Sequence, residues 1–285
     1  MAFKILITDA STPLARKLLN VYEDKSYDIV WSDLSPDQWA DVDIVKSFLS
    51  KEQPALVLNT FVHSEFCEQQ AFEVNQSLAQ ACNEFELKVI HISSHEVFSP
   101  EQSWHPLDES SEPKPENVYG QTLKKIEDLF LNNPQALITR LPWVLDLPDG
   151  LLESALKELR YQSTIQACES WFGSFLSISE ISRVLVGLSE QALCDSRNWG
   201  VVHLHSSDRC SEVEFVDYLQ RILDKEGVPS AQVNLVSYEF RLLRSGSQLI
   251  GNRCTNGFGI QFRSWRQGVK KMVLDWLKNE QENQS

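Results

Sequence analysis

The stretch NVYGQTLKK, Asn117–Lys125, sets a tyrosine at the start of a helical segment, with lysines close behind. That pairing suggests acid–base chemistry. A phenol with an ordinary pKa near 10 is too weak for such work at neutral pH unless it is assisted. Register decides whether assistance arrives. Position i+4 lies about 40° round an α-helix from Tyr119, and position i+5 about 140°. Leu123 holds i+4, and Lys124 comes one place late. Lys124 is therefore expected to point away, unless a one-residue π-bulge re-registers the turn. His63, Cys67, His91 and His95 fall at i, i+4 intervals. His91 lies in a strand-like run, where that spacing does not converge on one ion, so no metal is expected.

A second candidate lies near the N-terminus. TDASTP, residues 8–13, follows an apolar run and precedes a helical one. The residues themselves read as a capped strand-to-helix turn, with Thr12 as N-cap and Pro13 opening the helix.

These candidates need a scaffold. FKILIT (3–8), YDIVW (27–31), ALVLNT (55–60), KVIHISS (88–94) and ALITRL (136–141) are short apolar runs that read as buried strands. Helical patterns alternate with them, including 65–85 and a helix beginning near Tyr119. Alternation of this kind predicts an α/β fold with a Rossmann-like, doubly wound parallel sheet. The expected domains are 1–145, a nucleotide-binding-type unit, and 146–285, a smaller substrate-type unit, with some late elements returning to the first. GVVHLHS (200–206) reads as a late strand, and Ser211 with Glu214 as a capping box. The tail KNEQENQS reads as frayed.

Composition narrows the partners. The chain has 285 residues, 42% of them apolar, with a formal net charge of -14. Such a surface repels phosphate backbones and anionic membranes, so neither nucleic acid nor membrane is expected. No apolar run approaches the roughly 20 residues of a membrane span. Six cysteines without a CxxC pair read as reduced thiols, and the expected location is the cytoplasm.

Taken in order, KILITDASTPLARKLL, LVLNTFVHSEFCE, VIHISSHEVFSP, PENVYGQTLKKIE, LITRLPWV and GIQFRSWRQGVKKMV resemble successive segments of the extended short-chain dehydrogenase/reductase family. The likeness covers nearly the whole chain. It is nearest to the branch holding dTDP-4-dehydrorhamnose reductase and the non-catalytic regulatory beta subunit of methionine adenosyltransferase. The resemblance implies a catalytic Ser94 and Tyr119 with a lysine at position 123, replaced here by Leu123 and followed by Lys124. It implies a cofactor turn at Asp9, Thr12 and Ala15, where the family has three glycines, and a contribution from Asp33. His95 and Trp143 take substrate-side positions. His95, Glu96 and Cys67 depart from the family's aspartate, tyrosine and aspartate.

Three altered parts together lead us to expect a catalytically degenerate member that binds a ligand or regulates a partner, with no cofactor. The alternatives are a divergent reductase of a nucleotide sugar, using NADP or NAD, and a nucleotide-sugar-binding module. A protein partner or a homodimer, or a small nucleotide or sugar nucleotide, would be the ligand.

Overall fold

The computed structural model describes residues 3–283 except 24, 26, 64–65, 147–149, 195–196 and 237–246. The first half runs β1 (Lys4–Ile7), α1 (Pro13–Glu23), β2 (Asp28–Trp31), α2 (Pro36–Trp39), α3 (Val42–Glu52), β3 (Leu56–Asn59), α4 (Glu68–Glu84), β4 (Val89–Ser94), α5 (Val118–Leu131) and β5 (Ala136–Leu141). The second half runs β6 (Trp143–Val144), α6 (Leu151–Tyr161), β7 (Thr164–Cys168), β8 (Phe172–Gly173), β9 (Phe175–Leu176) and α7 (Ile178–Leu193). It ends with β10 (Gly200–His203), β11 (Cys210–Ser211), α8 (Glu212–Lys225), β12 (Gln232–Val236), α9 (Arg253–Phe258) and α10 (Val269–Asn283).

The central sheet has six strands, ordered β10-β5-β4-β3-β1-β2 and parallel throughout. The strands lack a polar–apolar alternation because both faces are covered. Ile5, Ile7, Leu56, Leu58, Ile90 and Ile92 join the core shared with α1 and α7. Leu6, Val57 and Val89 point the other way, into the core under α3, α4 and α5. Strand order reverses at β1 and β3, which opens a crevice beyond their carboxyl ends, where α/β sheets bind ligands.

The late strand joins this sheet. Val201 pairs with Ile138 and His203 with Arg140, so β10 extends the sheet past β5. α7 also packs on the first half, where the buried Tyr22 hydroxyl donates to Ser189 Oγ at 2.8 Å. A separate core of Trp265, Phe175, Phe215 and Leu219 gathers α6, α8 and α10. β7 and β12 form a two-stranded parallel pair in this half. The Ser211 capping box is present: Glu214 N donates to Ser211 Oγ, and Ser211 N to Glu214 Oε2. The tail is not frayed as expected, since α10 continues through Asn283. Its Trp276 and Leu277 dock on the second core, and the Tyr161 hydroxyl donates to Glu280. Among the described residues no helix is long and apolar enough to cross a membrane.

Candidate functional site

The turn between β1 and α1 is occupied by its own side chains. Asp9 Oδ1 accepts the Ser11 backbone N–H at 2.8 Å and the Ser11 hydroxyl at 2.6 Å. Thr12, 3% exposed, caps α1: its Oγ1 accepts the Ala15 N–H at 3.2 Å. Thr60 stitches the turn to the end of β3, accepting from Asp9 N and donating to Asp9 O. Two backbone donors at the start of α1 are thus satisfied within the chain. A carboxylate also stands at the positive end of the helix, where an incoming anion would otherwise gain. Beyond the turn lies an open cleft of about 730 Å³, lined by Asp9, Ser11, Arg16, Trp31, Asp33 and Phe66 among others.

The second cluster forms where β4 ends. Ser94 terminates the strand and accepts the Glu96 N–H at 3.3 Å, opening a short 3₁₀ turn over His95–Val97. Asn117 Oδ1 accepts the Gly120 N–H at 2.6 Å and so starts α5. Gly120 lies so close to the 95–97 turn that a Cβ there would collide with the Glu96 carbonyl oxygen. This close approach puts Tyr119 beside Glu96. Burial, and then the Glu96 carboxylate, push the Tyr119 phenol up to about 12. An acid–base role at neutral pH needs the opposite shift. The ring remains 36% exposed, and among the described residues its hydroxyl makes a long 3.5 Å contact to the Val62 carbonyl.

His95 and Trp143 are brought together. Trp143 Nε1–H donates to His95 Nε2 at 2.7 Å, so the imidazole is neutral and carries its proton on Nδ1, 3.4 Å from Ser94 Oγ. Trp143 in turn packs on Trp171, with ring centroids 4.5 Å apart, and both line a cleft of about 340 Å³ with Glu158, Phe175 and Glu212.

Burial holds three histidines well below the ordinary value near 6.5: His95 at about 4, and His91 and His203 at about 3. Between pH 6.5 and these lower values the unfolded chain binds protons that the native state refuses. Their contribution to stability is therefore present above about pH 6.5 and is lost as pH falls. Each histidine contributes a slope of up to about 1.4 kcal/mol per pH unit. Glu96 and Asp146, raised by burial, act in the opposite sense and offset part of the loss. Urea midpoints should be lower at about pH 5 than at about pH 7. An unchanged or higher midpoint at the acid end would show that these histidines do not set the response.

α5 is α-helical without a π turn from Val118 to Leu131. Leu123, 4% exposed, packs with Val97, Phe98, Leu107 and Leu249. Lys124 Nζ lies 2.6 Å from both carboxylate oxygens of Asp128. The i, i+4 spacing of Lys124 and Asp128 was the sequence signal for this pairing. Among the described residues no group of three His, Cys, Asp or Glu could hold a metal ion. The side chain of His63 lies outside the described residues.

A family model described as the RmlD substrate binding domain matches residues 3–277. The chain belongs to that family. It is similar to dTDP-4-dehydrorhamnose reductase from Mycolicibacterium smegmatis, at 28% identity over 158 residues, which are 53% of this chain and 48% of that protein. The chain thus spans about half the length of the curated relative it matches. Its fold is similar to that of a dTDP-4-dehydrorhamnose reductase from Clostridium acetobutylicum, with TM-score 0.79 and 23% identity over 97% of this chain and 100% of that one. The same holds for the Bordetella bronchiseptica enzyme WbmG in complex with NAD and UDP, with TM-score 0.79 and 14% identity over 98% of this chain and 96% of that one.

Membership of the RmlD family and the extended short-chain dehydrogenase fold imply a nicotinamide dinucleotide, so its fit can be tested on these residues. The cleft is large enough, and Asp33 stands at its β2 side. The phosphate turn does not fit, because Asp9 and Thr12 occupy donors that a pyrophosphate would use and Asp9 adds a like charge. The lysine expected on the Tyr119 face is replaced by the buried Leu123.

Proposed function

We propose that this RmlD-family chain is catalytically degenerate, and that it binds a small nucleotide or nucleotide-sugar ligand, or regulates a protein partner, without reducing a keto sugar. The observation that carries this reading is the register of α5. Leu123 is buried where the family's lysine stands, while the following Lys124 is held by Asp128. Among the described residues no cation lowers the Tyr119 pKa, while burial, and then Glu96, raise it. With a pKa near 12, the phenol is about 10⁵-fold short of its ionised form at pH 7.

The test is NADPH absorbance in the presence of a dTDP-4-keto sugar. We expect no ketone-dependent loss, and no difference between the unmodified protein and Lys124→Ala. A ketone-dependent loss that disappears in both Tyr119→Phe and Lys124→Ala would overturn the proposal. It would favour the second reading, a divergent NADP- or NAD-dependent reductase. One observation supports that second reading: the cleft of about 730 Å³ beyond β1 and β2 is open and carries both Arg16 and Asp33. The same cleft supports retained nucleotide or nucleotide-sugar binding under the first.

A further inference from the structure

Two open cavities meet at Asp146, just past β6. One, of about 340 Å³, lies between the starts of α7 and α10. The other, of about 350 Å³, lies between α6 and α10. Asp146, Met272 and Asp275 line both. The two cores of the molecule join here. Val144 and Ile178 belong to the core under the central sheet, and Leu145 and Val273 to the second core. Ligand sites form preferentially at such seams.

The charges at the seam are of both signs, and several lack a partner. Asp146 Oδ1 accepts the Ile178 N–H at 2.6 Å, but among the described residues no lysine or arginine forms an ion pair with this half-buried carboxylate. Burial holds its pKa above the ordinary carboxylate value, against the weaker opposing pull of backbone N–H groups and Lys17. Such a group costs free energy until donors or a cation meet it. Lys271 and Asp275 stand one turn apart on α10, a spacing that favours an ion pair, yet among the described residues neither forms one. Both line the first cavity. Glu180 lines it too, but its carboxylate is held by Arg183 at 2.6 and 2.9 Å, with Arg263 3.8 Å away. The second cavity differs in kind. Leu152, Met272 and the half-buried Trp276 wall it, no lysine or arginine among the described residues lines it, and Glu153 at its edge is paired with Lys157 at 2.8 Å.

We propose that the joined cavities bind a free α-amino acid with an apolar side chain. Its ammonium group meets Asp146 and Asp275, its carboxylate meets Lys271, and its hydrocarbon side chain enters the second cavity against Leu152, Met272 and Trp276. A ligand of one sign would satisfy only half of the site. A lone carboxylate would face Asp146 and Asp275, and a lone amine would face Lys271 and Arg263. A group that carries both charges satisfies Lys271 and Asp275 together. The apolar second cavity selects the side chain, since a polar one would lose its water there without a partner. The site draws on neither Tyr119 nor the large cleft beyond β1, so it stands whether or not the chain reduces a sugar.

The probe is L-leucine, titrated into the full chain and followed by calorimetry and tryptophan fluorescence. Saturable binding is expected, with a Kd on the order of 0.1–1 mM for a ligand of this size. Leucinamide, which lacks the carboxylate, and 4-methylpentanoate, which lacks the ammonium group, should each bind at least about tenfold more weakly. Asp146→Asn keeps an oxygen for the Ile178 N–H and should weaken leucine at least about tenfold, while 4-methylpentanoate does not weaken. Lys271→Met should weaken leucine to a similar degree and leave leucinamide unaltered. Lys271 is exposed on α10, so Lys271→Met should melt with the unmodified chain and keeps the test decisive even where Asp146→Asn does not fold. Three outcomes would overturn the site: no saturable binding of leucine, equal binding of the three probes, or a leucine affinity unaltered in Lys271→Met.

Discussion

Glu127→Ala is expected to destabilise the protein by about 3–5 kcal/mol, read as a fall in melting temperature of roughly 6–20 °C. Glu127 is 0% and Arg140 3% exposed, and they form a two-pronged ion pair with N–O distances of 2.9 and 2.7 Å. Arg140 also stacks over Phe98 and donates to His203 Nε2 at 3.3 Å. His203 Nδ1–H then reaches the carbonyls of Leu107 and Ile250, each at 3.0 Å. The truncation leaves a guanidinium buried with no counter-charge, and guanidinium cannot shed its proton. Arg140→Met should cost less, because an orphaned Glu127 can take up a proton instead. The double change Glu127→Met with Arg140→Met should lose less than the Glu127→Ala single, because no buried charge remains. Calorimetric melting of the set decides it, and a Glu127→Ala protein that melts with the unmodified chain would exclude the pair as a stabilising node. The consequence reaches the site. The segments tied down by His203 carry Leu107 and lead from Leu249, two of the residues that cover Leu123.

Asp9→Gly combined with Thr12→Gly is expected to raise affinity for NADP or NAD by roughly 10- to 100-fold. Two terms add. Removing the Asp9 carboxylate relieves repulsion of a pyrophosphate, on the order of 1–3 kcal/mol for partly buried charges a few ångströms apart. Removing both side chains also releases the Ser11 and Ala15 N–H groups that they now occupy. The fold should survive, because Thr60 holds Asp9 through backbone atoms only, and a glycine N-cap costs only a few tenths of a kcal/mol. Calorimetric titration of both proteins, with melting as the control, provides the measurement. An unaltered affinity in a native-like variant would mean that the turn is not what limits dinucleotide binding. Adding Leu123→Lys to that pair should be required before any turnover appears, since the cation beside Tyr119 is a separate loss.

Local chemistry made much of this protein legible in one dimension. Continuous apolar runs such as KILI and LVLN announce strands buried on both faces, and therefore a parallel sheet between helix layers. Thr12 before Pro13, and Ser211 before Glu214, cap helices with atoms only three residues apart, so their geometry follows from spacing alone. The displacement of lysine from Leu123 to Lys124 is likewise a matter of counting. Whether a π-bulge would repair it was not readable, because the energy that keeps α5 regular comes from elsewhere. Leu123 is held by Leu107 and Leu249, which are distant in sequence, and Lys124 finds Asp128 only on a regular turn.

Other features needed contacts between segments far apart along the chain. β10 joins the sheet because Val202 can be buried beside β5 and His203 can meet Arg140, 63 residues earlier. Glu96 raises the Tyr119 pKa only because the glycine after that tyrosine lets α5 approach the 95–97 turn. The tautomer of His91 rests on Asn59, whose amide is oriented by Thr8 and Phe61. Spacing along the chain determines what a residue can do with its own helix or strand. Which buried charge it meets, and which donor is left without an acceptor, is determined by packing, where desolvation makes each polar contact count for several times its worth in water.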